Sequence, residues 1–124
     1  MKWNYKIIGG LYATSLILLA VLPLNTSRVD NVWVLSWRGD YWIHMLQFIP
    51  CIPVFSKIGP LSVSLAFGVG LAIITEGVQW WLPYRAFNIN DLMANGLGVI
   101  LGFFFVIILS ILKNFLSTST KTKL

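Results

Sequence analysis

Residues 92–112 read LMANGLGVILGFFFVIILSIL, a run with no charged side chain. A helix needs about 20 mostly apolar residues to cross the hydrocarbon core of a bilayer, and this stretch has both the length and the composition. Three other segments approach the same pattern. Pro60 to Leu82 holds a single acid, Glu76. Ile7 to Leu24 contains Pro23 and is followed by the polar run Asn25-Thr26-Ser27. Tyr41 to Phe55 is the shortest and contains His44, Pro50 and Pro53. Each proline removes a backbone donor and kinks or breaks a helix. The expected fold is all-α and integral to the membrane, with four transmembrane helices in a compact bundle, spanning about 7–24, 41–56, 60–83 and 92–113. The second helix is expected to be Pro-kinked or broken. Residues 117–124 read as a polar, frayed tail, and residues 1–124 as one domain.

The whole composition agrees. The 124 residues are 57% hydrophobic and 10% charged, with a mean hydropathy of +0.80. A soluble domain carries about 25% charged residues, so a water-soluble globule is excluded. A disordered chain needs low hydrophobicity and high net charge, and is excluded too. Cys51 is the only cysteine, which rules out an intrachain disulfide framework and a multi-cysteine zinc site. The sequence pI is near 9.7, yet the basic residues fall between apolar runs and form no soluble basic face. The partner implied is the lipid bilayer and not nucleic acid, and neither a metal nor another cofactor is called for.

Charge also orients the chain. With four crossings, both termini and the Ser56–Gly59 turn share one side. That side carries Lys2, Lys6, Lys57, Lys113, Lys121 and Lys123 and no side-chain acid. The other carries Arg28, Arg38 and Arg85, offset by Asp30, Asp40 and Asp91. The lysine excess follows the positive-inside rule, so the expectation is a multi-pass protein with both termini in the cytoplasm. The first segment has the basic start and apolar core of a signal peptide, but no clear small-x-small cleavage site follows, so it is read as a span. Trp33, Trp37, Tyr41, Trp42, Trp80, Trp81 and Tyr84 gather near the outer boundary, the level that such amphipathic rings prefer. Val29 to Gly39 is read either as a cap lying flat in the interface or as plain belt residues.

Ionisable groups inside a membrane are costly and point to function. On the second segment Asp40, His44, Gln47 and Cys51 recur at helical spacing, on one stripe. Glu76, Gln79 and Pro83 do so on the third, and Asp91, Asn95, Gly98 and Gly102 on the fourth. At 1.5 Å per residue, Glu76 lies about 10 Å below the outer end of its helix, level with His44 and Asn95. The expected site is one polar cluster, Asp40, His44, Glu76, Gln79, Arg85, Asp91 and Asn95, open to the outer side. Structural roles stand beside this one. Asp40 and His44 read as a simple pair, Asp91 as a first-turn acid favoured by the helix dipole, and Arg85 as either a partner of Asp91 or an anion-binding group. Cys51 reads as a packing residue. Gly98 and Gly102 form a small-xxx-small face for close helix contact, and Gly68, Gly70 and Gly77 read likewise.

Asp40-x-x-x-His44, Glu76-x-x-Gln79, Pro83-x-Arg85 and Asp91-x-x-x-Asn95-x-x-Gly98-x-x-x-Gly102, in that order on hydrophobic helices, resemble the VanZ-like family over about residues 30–105. Tyr41 stands where that family usually has a basic residue after the aspartate, and Met45 where it has an aromatic after the histidine. The resemblance implies a protein of the bacterial cytoplasmic membrane, in a cell-envelope family associated with low-level resistance to the lipoglycopeptide teicoplanin. It implies no reaction. Three readings compete. In the first, the pocket binds or remodels an envelope lipid or a cell-wall-related amphiphile, with a lipid or lipoglycopeptide as ligand. In the second, an intramembrane hydrolase or transferase uses His44 and Glu76 as base and acid. In the third, a small proton-coupled carrier acts as an oligomer, since four helices leave little room for a pathway.

Overall fold

The elements follow in the order α1 (Tyr5–Val21), α2 (Ser27–Asp30), β1 (Trp33–Val34), β2 (Trp37–Arg38), α3 (Gly39–Phe48), α4 (Cys51–Phe55), α5 (Leu61–Gln79) and α6 (Ile89–Lys121). The computed structural model describes residues 4–25 and 27–121; Lys2, Thr26 and Lys123 lie outside them. Capping and proline chemistry set the helix ends. Asn4 opens α1, its side-chain oxygen accepting from the amides of Lys6 and Ile7 at 3.2 and 3.4 Å. Leu22, which precedes Pro23, is extended at φ −67° and ψ 140°, and α1 stops there. Pro60 precedes the first residue of α5, where a missing N–H costs nothing. Asn88 opens α6, its side-chain oxygen accepting from the Asn90 amide at 3.0 Å.

The second apolar segment is two helices, α3 and α4, separated by Ile49 and Pro50. Pro50 has no N–H to give back to the preceding turn, and its carbonyl takes the Val54 amide at 3.0 Å. Within the described residues, 117–121 of the expected polar tail are helical, because α6 continues through Lys121. No Gly or Pro interrupts residues 113–121, and Thr118 donates its hydroxyl to the Asn114 carbonyl at 3.0 Å. Within residues 29–39 the backbone is ordered as a hairpin. Trp33 pairs with Arg38 and Val34 with Trp37 in an antiparallel hairpin. Its two-residue turn places Leu35 and Ser36 at φ 51° and 65°, the left-handed backbone that tight hairpins require. Trp42 of α3 donates its indole N–H to the Val34 carbonyl at 3.1 Å, tying the hairpin to the bundle.

Glycine sets the closest helix contact. A Cβ on Gly98 would collide with the Met45 carbonyl, and one on Gly102 with the Ile49 carbonyl. The backbone of α6 therefore lies directly on that of α3. Gly68 plays the same part on α5, since an added Cβ would stand 3.2 Å from Cys51 Sγ and 3.2 Å from Val99. Gly70 and Gly77 face open space, so the small-residue face expected on the third segment reduces to Gly68. Around these contacts Leu16, Phe48, Cys51, Ile52, Leu71, Ala72 and Val99 form the buried core. The stretches Leu61–Gln79 and Ile89–Ser119 are long and apolar enough to cross a membrane. Only 33% and 28% of their most apolar windows is buried. Most of their apolar surface therefore faces away from the bundle, as suits a helix whose solvent is lipid tails.

Candidate functional site

Three helices meet at one end of the bundle, and each brings a polar side chain. His44 sits mid-way along α3, Glu76 in the last turn of α5, and Asp91 and Asn95 in the first two turns of α6. The glycine contact between α3 and α6 brings His44 against Asn95. Their Nδ1 and Oδ1 atoms stand 3.0 Å apart. Asn95 then donates its amide N–H to Glu76 Oε1 at 3.0 Å. The same carboxylate oxygen lies 3.6 Å from His44 Nδ1, and His44 Nε2 lies 3.7 Å from Asp91 Oδ2. Glu76 and Asn95 are both 0% exposed. A carboxylate so placed needs a donor on each oxygen, and Asn95 supplies one of the two.

This arrangement constrains the protons. With the Asn95 amide N–H committed to Glu76, its oxygen faces His44, so Nδ1 must be the donor in that contact. Nε2 then faces the Asp91 carboxylate, and a proton on either group turns two facing acceptors into an attraction. His44 thus stands between two carboxylates, one on α5 and one on α6. Gln47 completes the near surroundings with its amide nitrogen 3.5 Å from His44 Nδ1. Asn88 donates to the other oxygen of Asp91 at 3.0 Å, so the residue that starts α6 also positions the aspartate.

Arg85 makes no ion pair with Asp91 among the described residues. Its Nη2 donates to the Leu19 and Leu22 carbonyls at 3.2 and 2.8 Å. Tyr84 donates its hydroxyl to the Val21 carbonyl at 2.8 Å. The two residues thus satisfy carbonyls at the C-terminal end of α1 that no further helical turn can reach. Arg85 also lines a cavity of about 130 Å³ with His44, Gln47, Glu76 and Gln79, to which Leu16, Leu19, Ala20 and Leu24 add aliphatic surface. Two buried polar atoms make no hydrogen bond among the described residues, Glu76 Oε2 and Arg85 Nε.

Of the seven residues expected to cluster, His44, Glu76, Asp91 and Asn95 form one network, and Gln79 and Arg85 line the adjoining cavity. Asp40 turns away. Its carboxylate takes Arg38 Nε at 3.1 Å, Arg38 Nη2, and the Tyr41 amide at 3.0 Å. It pairs with the hairpin and not with His44. Arg38 also stacks 5.1 Å over the Tyr41 ring, in the place where the resemblance had led one to expect a basic residue. Arg38, Asn88 and Tyr12 were not legible as parts of the site. Tyr12 donates to the Gln47 carbonyl at 2.5 Å, holding α1 against α3. Helical spacing gives no sign of the Tyr12 contact, which spans 35 residues, and Arg38 and Asn88 lie just outside the helices whose stripes that spacing reads. No group of three or more His, Cys, Asp or Glu side chains among the described residues is placed to hold a metal ion.

The VanZ/LLP1 family model matches residues 12–111 of the chain. No curated protein and no solved structure matches it.

Proposed function

The chain belongs to the VanZ/LLP1 family, and we propose that it binds the polar head of an envelope lipid or cell-wall-related amphiphile in the cavity beside Glu76. The observation that carries this reading is the pair of unpartnered atoms there. Glu76 Oε2 is an acceptor and Arg85 Nε a donor, both buried, and both belong to residues that line one cavity. Leaving such groups unpaired costs about 1–3 kcal/mol each, and a ligand that both donates and accepts, such as a sugar hydroxyl or an amide, removes that cost. Leu16, Leu19, Ala20 and Leu24 make part of the lining aliphatic, which suits the apolar part of the same molecule. In this reading four apolar segments cross the bacterial cytoplasmic membrane, the second as α3 and α4 together. Both termini are cytoplasmic and the cavity opens toward the outer leaflet.

Teicoplanin tolerance follows from the same pocket. Teicoplanin and vancomycin share a target, but teicoplanin also carries an acyl chain, and each buried CH₂ adds about 0.8 kcal/mol to its residence in the membrane. A protein that engages amphiphiles at the outer leaflet interferes with that anchoring. Expression in a susceptible Gram-positive host should raise tolerance to teicoplanin more than to vancomycin, and Ala substitution at Glu76 or Arg85 should remove the effect while expression persists. Equal protection against both drugs would point to altered cell-wall precursors and sink the pocket reading. One observation favours acid–base chemistry as a second reading: His44 stands between Glu76 and Asp91. Turnover of a purified lipid-linked precursor, lost in His44→Gln, would establish it.

A further inference from the structure

The other end of the bundle carries a groove that the polar cluster does not use. It lies between α4 with its following turn and the later part of α6, with a volume of about 610 Å³. Its α6 wall is Val106, Leu109, Ser110 and Lys113, at spacings of three, one and three, which is a single helix face. Along that face the chemistry changes from apolar to hydroxyl to ammonium. The α4 side runs through the same change, from Pro53 to Ser56 to Lys57. Both lysines are exposed. Among the described residues no side-chain carboxylate lies within ion-pair distance of either one. The chain's four acids, Asp30, Asp40, Glu76 and Asp91, belong to the opposite end, where they meet Arg38 and His44.

We infer that this groove binds an anionic phospholipid, its phosphate held between Lys57 and Lys113 and one acyl chain lying along Val106 and Leu109. Two ammonium groups with no carboxylate between them attract an anion, and the exposed Ser110 hydroxyl lines the same groove, while the Ser56 hydroxyl donates to the Pro53 carbonyl at 3.2 Å. The apolar half of the groove has no use for a free inorganic anion, but it accommodates a chain attached to one. Basic pockets between transmembrane helices take lipid head groups on this basis. The site is separate from the cavity beside Glu76, and the inference does not depend on what that cavity holds.

The test uses the full chain in vesicles of equal phosphatidylglycerol and phosphatidylcholine. After extraction in mild detergent, native mass spectrometry counts the lipid retained. The wild-type protein should keep phosphatidylglycerol in preference to phosphatidylcholine. The Lys57→Gln/Lys113→Gln double variant should lose that preference by roughly tenfold or more. Lys6→Gln should leave it intact, because Lys6 lines a different cavity with Phe55 and Phe67. Leu109→Trp, which keeps both charges and fills the groove, should also lower retention. Three results would each overturn the inference. One is an equal fall in Lys6→Gln, which is the mark of a diffuse positive field. Another is full retention in Leu109→Trp. The third is displacement of the lipid by millimolar inorganic phosphate, which would assign the lysines to a free anion.

Discussion

Asp40, Glu76 and Asp91, at one end of the bundle, reach Arg38 and His44, whereas Lys57 and Lys113, at the other, reach no side-chain carboxylate among the described residues. The first end turns its charge inward, where α3, α5 and α6 meet, and buries it with hydrogen-bond partners. The second carries one sign only and presents it outward, on exposed side chains flanking apolar grooves. The difference teaches what a charged residue does in a chain this apolar. Buried and paired, it fixes which helices meet. Exposed and unpaired, it addresses the surface around the protein and adds little to the fold.

The largest effect should be all-or-none and concerns whether the two ends lie on opposite sides of the membrane. Single cysteines at Lys57 and Asn88, in a Cys51→Ala background, place one probe at each end. A membrane-impermeant thiol reagent added to intact cells should label position 88 and not position 57. The reverse pattern would invert the orientation, and labelling of both would remove the barrier between the ends.

Next in size is the cost of making each end apolar. Asn95→Leu leaves the fully buried Glu76 carboxylate with no amide donor and His44 without its partner. Breaking a buried charged network typically costs about 3–5 kcal/mol, so folded protein should fall sharply in a thermal-stability assay in detergent. The same kind of change at Ser110, whose side chain is exposed, should cost less than about 0.5 kcal/mol. Similar losses from Asn95→Leu and Ser110→Leu would break the contrast between an organising end and an outward-facing one.

These contacts also mark how far sequence could reach. Helical spacing put His44, Gln47, Glu76, Gln79, Asp91 and Asn95 on inward stripes, because a period of 3.6 residues is a local property. Gly98 and Gly102 were readable as a contact face for the same reason. The hairpin at 33–38 was not, since its turn uses Leu35 and Ser36 at positive φ instead of the Asn-Gly or Asp-Gly that announces such turns. Arg85 was visible as a cation, but its bonds to the α1 carbonyls span 66 and 63 residues. Asp40 and His44, one turn apart on a helix, looked like partners. Arg38 lies two residues before Asp40 in the adjoining strand, and its guanidinium reaches both carboxylate oxygens. That charge-assisted contact is stronger than a contact to imidazole.

A conservative change sharpens the comparison within the polar end. Glu76→Gln keeps an oxygen for the Asn95 amide, so its melting temperature should stay within a few degrees of wild type. It removes the charge facing Arg85 across the cavity, so teicoplanin tolerance in the expression host should return close to that of cells lacking the protein. Unchanged tolerance in a well-folded Glu76→Gln protein would mean that the carboxylate serves the fold alone.

The smallest effect should come from Tyr84→Phe, and its size separates two explanations of why residues 84 and 85 approach α1. The Tyr84 hydroxyl donates to the Val21 carbonyl, one of the carbonyls left over where α1 ends. Tyr84 is 54% exposed, so water or lipid head groups replace the lost donor, and the variant should cost about 0.5–1 kcal/mol. Arg85→Gln removes two charge-assisted bonds to the same helix end and should cost about 1.5–3 kcal/mol. If these contacts only staple the connection to α1, both variants should lower thermal stability in that order and leave teicoplanin tolerance in proportion to folded protein. If Arg85 also serves the cavity through its buried Nε, Arg85→Gln should lose tolerance well beyond its loss of folded protein, while Tyr84→Phe should not. Parallel behaviour of the two variants would make residues 84 and 85 a clasp for α1 and leave the cavity to Glu76, His44 and Gln79.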